Sequence, residues 1–149
     1  MKTMRAVAID RFGGPEVLVV HELPLPKISA QEVLIAVDTA GVGMWDARAR
    51  DGAWSDHKEF PFILGVDGSG VVVEAGSQVR RLKRGDRVYA YSYDNPKGGF
   101  YAEYVAVAAS KVARIPQGLR CFRRAGFLRL RSPRCKVSMT LSRSSRAKM

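Results

Sequence analysis

Short runs of apolar and β-branched residues alternate with turn residues through the first 116 positions of the chain. Residues 4–9 and 16–21 form two such runs, and the sequence Phe12-Gly13-Gly14-Pro15 between them predicts a hairpin turn. Further strands are predicted at residues 32–40, 71–73, 87–91, 100–107 and 111–115. Many short strands with turns every ~8–12 residues are typical of a β-barrel or a β-sandwich, so the pattern predicts a mainly β fold.

A glycine-rich segment lies in the middle of this pattern, where residues 60–89 read FPFILGVDGSGVVVEAGSQVRRLKRGDRVY. Gly65, Gly68 and Gly70 fall inside an apolar run, and glycine in a strand marks a bend, a bulge or the close approach of another backbone. Strand residues follow the GVDGSG sequence, which excludes a dinucleotide-binding phosphate loop because that loop opens a helix. One or two helical turns are predicted over residues 44–50, ending before Gly52.

Charge divides the chain into two parts. The net charge is +11, yet residues 1–119 hold 15 Lys and Arg against all 14 Asp and Glu. Residues 120–149 hold the other 10 basic residues, no acidic residue, and both cysteines, Cys121 and Cys135. This tail has no sustained helical or strand period, so we expect it to be disordered.

Length and hydropathy narrow the class of protein. A chain of 149 residues predicts one domain. No run of ~18 apolar residues and no secretory leader is visible, so the expected location is the cytoplasm and no membrane partner is expected.

The glycine-rich segment carries a family resemblance together with other motifs along residues 1–119. These motifs are Glu32-Val33-Leu34-Ile35, Ala40-Gly41-Val42 with Asp46 behind it, and Gly98-Gly99-Phe100-Tyr101-Ala102-Glu103-Tyr104. The set resembles the N-terminal, GroES-like domain of medium-chain dehydrogenases and reductases, specifically the zinc-independent NADPH:quinone reductase-like branch. The resemblance implies a GroES-like, partly open β-barrel with one or two short helices over residues 1–119.

The same resemblance bears on metal binding. Zinc-dependent relatives place a Cys where this chain has Gly43, and a His-Glu pair where it has Val66 and Asp67. Glycine and valine offer no ligand to a catalytic zinc, which takes three protein side chains. The loop over residues 92–99 also lacks the cysteines of a structural zinc lobe. No zinc is therefore expected.

By resemblance, the activity is hydride transfer from NADP(H) to a small-molecule quinone or enone. Gly43, Met44 and Asp46 are then expected to line the cleft beneath the nicotinamide, with Trp45, Trp54 and Asp67 in the substrate cleft. Many relatives have Asn in place of Gly43, so no polar contact is assigned there. Core or rim packing remains an alternative for both tryptophans, and capping of the following turn remains one for Asp46. No catalytic residue is assigned.

The family continues beyond Ile115-Pro116 into a nucleotide-binding Rossmann domain, which is absent from residues 120–149. Codons allowed for residues 127–149, read one nucleotide earlier, can encode the family's Thr-Ala-Leu-Gln-Gly stretch. A shifted reading frame is therefore the favoured explanation of the tail, and a genuine basic extension stays open. On this interpretation the chain is a truncated reductase that binds no NADP(H) and is inactive by itself.

Two other classes of function remain open. The chain could be a non-enzymatic GroES-like module that binds a protein partner, including a second copy of itself, through an exposed former interdomain face. It could also be a nucleic-acid-associated protein with a basic tail, but the tail lacks the interleaved aromatic residues of a stacking platform, so this reading is not favoured. The choice between NADP and NAD and the identity of the substrate are not fixed by these residues.

Overall fold

The computed structural model describes residues 2–53, 59–93 and 95–116. Trp54 and the basic tail over residues 120–149 lie outside the described residues, so the expectations for them remain predictions.

Nine elements follow one another along the described chain, eight of them strands. They are β1 (Thr3–Ile9), β2 (Val19–Pro24), β3 (Glu32–Ala40), α1 (Met44–Arg50), β4 (Phe62–Ile63), β5 (Asp67–Ala75), β6 (Arg87–Tyr91), β7 (Tyr104–Ala108) and β8 (Val112–Arg114). Short 3₁₀ turns occur at Pro15–Val17 and Ala109–Lys111. The mainly β prediction is confirmed, and β3, α1 and β6 have the predicted bounds.

The strands form two antiparallel sheets. One sheet has the order β2-β1-β4, and the other has the order β7-β3-β5-β6-β8. An isolated bridge between Ala6 and Ala102 joins β1 to the segment before β7. The two sheets do not close into a complete barrel, which confirms the partly open arrangement. In the described part of the chain, no helix is both long and apolar enough to cross a membrane.

Other predicted strands begin or end elsewhere, and β5 extends from Asp67 to Ala75 rather than over residues 71–73 alone. β2 starts at Val19 rather than at residue 16, because Pro15 fixes a backbone angle that suits the first position of the 3₁₀ turn. β7 starts at Tyr104 rather than at residue 100, since residues 100–103 bond to two other segments: Phe100 N–H donates to the Gly65 carbonyl, and Val7 N–H donates to the Tyr101 carbonyl. β8 is shorter than predicted because Lys111 belongs to a 3₁₀ turn.

The core lies on the inner faces of both sheets. Alternate positions of β6 show the pattern, with Val88 and Ala90 buried while Arg87, Tyr89 and Tyr91 are exposed. The largest fully buried side chains are Phe100, Ile9, Ile35, Val33, Val72, Val88, Val105, Val107 and Val112. Phe100 also occupies the space beside Gly68, where a Cβ would overlap its ring. The glycines of β5 therefore leave room for core side chains and for neighbouring backbone to pack closely against the strand, as the sequence indicated.

Candidate functional site

Asp46 lies at the start of α1 and closes its first turn. Its side chain is buried, and Oδ2 accepts a hydrogen bond of 2.7 Å from the Gly43 N–H. The Asp46 N–H donates in return to the Gly43 carbonyl at 3.2 Å. Capping of the following turn was one of the two hypotheses for the role of Asp46. The structure places the residue at the third helical position, from which its carboxylate reaches back to the residue before the helix.

Asp67 begins β5 and packs against the loop that leads into α1. The Gly41 N–H donates to the Asp67 carbonyl at 2.9 Å. The Asp67 carboxylate lies directly over Gly41, where a Cβ would overlap it. Burial, and then the nearby charge of Asp46, raise the pKa of Asp67. Two carboxylates that are 21 positions apart in the sequence are thus held at one point of the fold.

Tyr101 is a third polar group at this point, and the sequence interpretation missed it. Its side chain is buried. Desolvation is the main cause that raises the pKa of Tyr101, and the neighbouring carboxylates of Asp46 and Asp67 raise this pKa further. Arg50 opposes this shift. The Tyr101 hydroxyl is therefore kept neutral and can donate a proton or a hydrogen bond. The available signal was a tyrosine inside the Gly98–Tyr104 motif, but the motif alone does not tell which aromatic ring faces the aspartates.

A cavity of about 40 Å³ adjoins Asp46. It lies between α1, the segment around β4 and the loop after β6, and Ser92 forms a buried part of its wall. The Ser92 N–H donates to the Val66 carbonyl at 2.7 Å, which holds that loop against the start of β5. The other lining residues are Trp45, Asp46, Ala49, Phe62, Ile63, Leu64, Gly65, Tyr93, Asn95 and Gly99.

Exposed apolar side chains lie at the N-terminal end of α1. Trp45 is 46% exposed and Met44 is 79% exposed, and Val42 beside them is also exposed. A Cβ at Gly43 would overlap the Trp45 indole, so the ring fills the space that a larger residue at position 43 would need.

The structure brings Gly43, Trp45, Asp46 and Asp67 together, while the Met44 side chain projects outward. Trp54 lies outside the described residues, so its place in a substrate wall stays a prediction. The described residues include no group of three or more His, Cys, Asp and Glu side chains that could hold a metal ion. The side chains of Gly43 and Val66 carry no atom that could coordinate a metal ion beside Asp46 and Asp67.

Comparison with known proteins identifies the fold. Residues 29–117 match the family model of the alcohol dehydrogenase GroES-like domain. The chain belongs to this family. The GroES-like fold expected from the sequence is therefore confirmed, and with it membership of the medium-chain dehydrogenase/reductase superfamily.

The GroES-like domain is similar to quinone oxidoreductases. It is 34% identical over 148 residues to quinone oxidoreductase of Mus musculus, a match that covers 99% of this chain and 43% of the relative. It is 36% identical over 132 residues to the chloroplastic NADPH-dependent alkenal/one oxidoreductase of Arabidopsis thaliana, covering 84% of this chain and 34% of the relative.

The solved structure of quinone oxidoreductase from Coxiella burnetii superposes with a TM-score of 0.74 at 32% identity, covering 80% of this chain and 39% of that chain. The GroES-like chain thus spans less than half of the length of the relatives that it matches.

Proposed function

We propose that this GroES-like domain forms the substrate side of a reductase of the quinone oxidoreductase type, which transfers hydride from NADPH to a quinone or an enone. The observation that carries the proposal is the cavity beside α1, which is lined by the buried Asp46 and the exposed Trp45 indole. The names of the mouse and Arabidopsis relatives supply the two acceptor classes and the cofactor.

The exposed apolar surface beside the cavity supports a role for this face in contacting a nicotinamide ring. Met44 and Trp45 present exposed apolar side chains, and the Asp46 contact with Gly43 fixes the backbone from which they project. NADPH supplies the hydride when it is bound, and the protein contributes orientation and exclusion of water. We accordingly assign Gly43, Met44 and Asp46 to the cofactor side, and Trp45 and Asp67, with Trp54, to the substrate side.

We further propose that this reaction uses no zinc. The protein then has to stabilise negative charge on the reduced acceptor by hydrogen bonding alone. We assign that role to the neutral Tyr101 hydroxyl, which can donate a hydrogen bond to the acceptor oxygen.

Turnover in this proposal requires a second, nucleotide-binding domain. Hydride transfer needs the two reacting atoms about 3–3.5 Å apart, so cofactor and acceptor must be gripped together. The mouse and Arabidopsis relatives are more than twice as long as the part that this chain matches. We therefore expect the 149-residue chain by itself to show no NADPH-dependent quinone reduction.

A chimeric enzyme tests the proposal. Residues 1–119 would replace the corresponding part of the mouse quinone oxidoreductase, and NADPH oxidation at 340 nm would be followed with 1,4-naphthoquinone as acceptor. The expected result is turnover by the chimera and none by the 149-residue chain. The matched control is the same chimera with Tyr101→Phe, which should still bind NADPH but lose about 10²-fold or more in kcat, the usual contribution of a positioned acid.

Different results would remove different parts of the proposal. A folded chimera that binds NADPH without reducing the quinone would contradict the reductase function. Turnover by the 149-residue chain alone would instead contradict the requirement for a second domain. Unchanged kcat in the Tyr101→Phe chimera would remove the role of Tyr101 and leave the reaction type standing.

A further inference from the structure

β2 lies at one edge of the smaller sheet, and its outer edge has no hydrogen-bond partner among the described residues. The sheet order is β2-β1-β4, and β2 pairs with β1 over its whole length, from Val19 opposite Ala8 to Pro24 opposite Thr3. No described residue outside β1 forms a backbone hydrogen bond to Val19–Pro24. An unpaired row of N–H and C=O groups is a template for the addition of another strand.

The other three edge strands of the two sheets each have a hydrogen-bond partner beyond their own sheet. The Gly99 N–H donates to a carbonyl of β4 at 2.9 Å, and Asn95 Nδ2 donates to a carbonyl of β7 at 2.8 Å. Arg81 Nη2 donates to a carbonyl of β8 at 3.0 Å. Proteins commonly cover sheet edges in this way, which prevents pairing with another chain. β2 is the exception within the described ranges.

The side chains of β2 do not protect this edge either. Val20 is 65% exposed and Val19 is 47% exposed, and neighbouring residues of a strand point to opposite faces. The strand reads VVHELP, so it has no lysine and its proline stands at the last position. Its pairing with β1 runs without a bulge. Lysine, internal proline and bulges are the usual devices that block the addition of a strand.

Charge near the two ends of β2 favours a second copy of this chain as the added strand. Near the beginning of β2, Asp10 and Glu16 are exposed with Arg11, which leaves this end net negative. Near the other end, Lys2 and Lys27 are exposed. Antiparallel pairing of two copies places the acidic end of each β2 beside the basic end of the other, whereas parallel pairing would bring like charges together.

We propose that two copies of the chain associate through β2, which pairs antiparallel with its counterpart about a two-fold axis. The result is a continuous six-stranded sheet of order β4-β1-β2-β2-β1-β4. The contact is independent of the proposed reductase function, because none of the described residues that line the cavity beside α1 belongs to β2.

Sedimentation equilibrium of the 149-residue chain tests the proposal. The measurement would run from micromolar to millimolar protein with a reducing agent, so that Cys121 and Cys135 form no cross-links. The expected result is an average mass that rises with concentration toward that of two chains and not beyond, since a two-fold contact is closed.

Val20→Lys is the informative variant. Because the contact is two-fold, one substitution removes an apolar contact on each side and adds two positive charges to the same interface. The dissociation constant of the dimer should therefore rise about tenfold or more. Val42→Lys is the matched control, since it makes the same change at a valine that is 58% exposed beside α1 and should leave the dissociation constant unchanged.

Each other outcome would overturn the proposal. A wild-type chain that stays monomeric at millimolar concentration would exclude the contact. A dimer weakened by Val42→Lys and not by Val20→Lys would place the interface at the exposed face beside α1 instead. If Val20→Lys fails to fold, amide hydrogen exchange of the wild-type chain decides: exchange at residues 19–23 should slow as the concentration rises, and exchange independent of concentration would contradict pairing through β2.

Discussion

Asp67 and Asp86 have carboxylates whose surroundings shift the pKa in opposite directions. Partial burial and the nearby Asp46 raise the pKa of Asp67, which disfavours its charged form. Asp86 accepts a backbone hydrogen bond of 3.0 Å from Lys83 and one of 2.9 Å from the Arg114 Nε, and these contacts lower its pKa. The charged form of Asp67 is destabilised at the candidate site, whereas the charged form of Asp86 stabilises the turn before β6.

Amide substitutions at the two positions should therefore have opposite effects on stability at pH 7. Asp86 contributes stability above its ordinary pKa of 3.8, and that contribution is lost as the pH falls through its lower folded value. Asp86→Asn should thus lower the melting temperature at pH 7 and have little effect near pH 2.

Asp67 follows the reverse sign. The pKa of Asp67 in the folded state lies above its ordinary value of 3.8. The folded state therefore loses stability as the pH rises from 3.8 through the higher folded pKa. Asp67→Asn should raise the melting temperature at pH 7 and not at pH 3. Melting curves by circular dichroism at pH 2, 3, 5 and 7 would check both variants, and a drop in melting temperature for Asp67→Asn at pH 7 would contradict the assignment.

β5 is the central element of the larger sheet, and its glycines allow the close packing of its neighbours. Gly70 pairs with Val37 across an irregular stretch of β3, and a Cβ at Gly70 would overlap the Ala36 carbonyl oxygen. Gly85, in the turn before β6, differs: its φ of +92° favours glycine, but nothing lies within 4 Å of an added Cβ. Backbone contact and backbone conformation can thus be separated in one protein.

Gly70→Ala should destabilise the domain more than Gly85→Ala does. Overlap with backbone forces β3 and β5 apart, at the upper end of the ~1–3 kcal/mol that overpacking costs. The positive φ at Gly85 costs about 1 kcal/mol when alanine is placed there. Urea unfolding of both variants would measure the difference, and equal losses would mean that the strand contact relaxes freely.

Adjacent valines of β5 provide a second test of the same element. Val72 is fully buried between the sheets, whereas Val71 is 37% exposed on the opposite face. Val72→Ala should cost about 2 kcal/mol, from two lost methylene equivalents and the cavity that they leave. Val71→Ala should cost well under half as much. Similar losses from urea unfolding would argue against the inward and outward assignment of β5.

At the scale of the whole molecule, the described residues contain a complete core and an open apolar face. The core draws on both sheets, from β1 to β8. Val42, Met44 and Trp45 are exposed at the N-terminal end of α1. Exposed apolar patches mark surfaces that bind a ligand, a protein or another domain. A chain that spans less than half of its relatives is expected to expose such a face where the proposed second domain would pack.

The proposed domain boundary at residue 119 predicts the effect of deleting the basic tail. Both sheets and the core that the structure describes lie within residues 2–116, so we expect a chain of residues 1–119 to unfold at the same temperature as the chain of 149 residues. The chain of 149 residues should elute later from a cation-exchange column than the shorter chain, since residues 120–149 carry 10 basic residues. A clear loss of stability in the shorter chain would place the boundary later.

Strand and turn positions could be predicted from the sequence because they depend on neighbouring residues. β3, α1 and β6 appear at their predicted bounds, and the resemblance of the GroES-like motifs was specific enough to identify the family. Errors fell at β2 and β7, among other strands, because a proline turn and hydrogen bonds from distant segments replaced the strand that the apolar pattern favoured.

The sequence by itself determined the fold class and family, and its resemblance to the family placed Asp46 and Asp67 in a cleft for cofactor and substrate. Only the tertiary structure decided that Tyr101 lies buried beside these aspartates and that their charges raise its pKa. Local patterns record which residues prefer a strand or a turn. Burial and hydrogen-bond satisfaction depend instead on groups brought together from residues far apart in the chain, so no local pattern contains them.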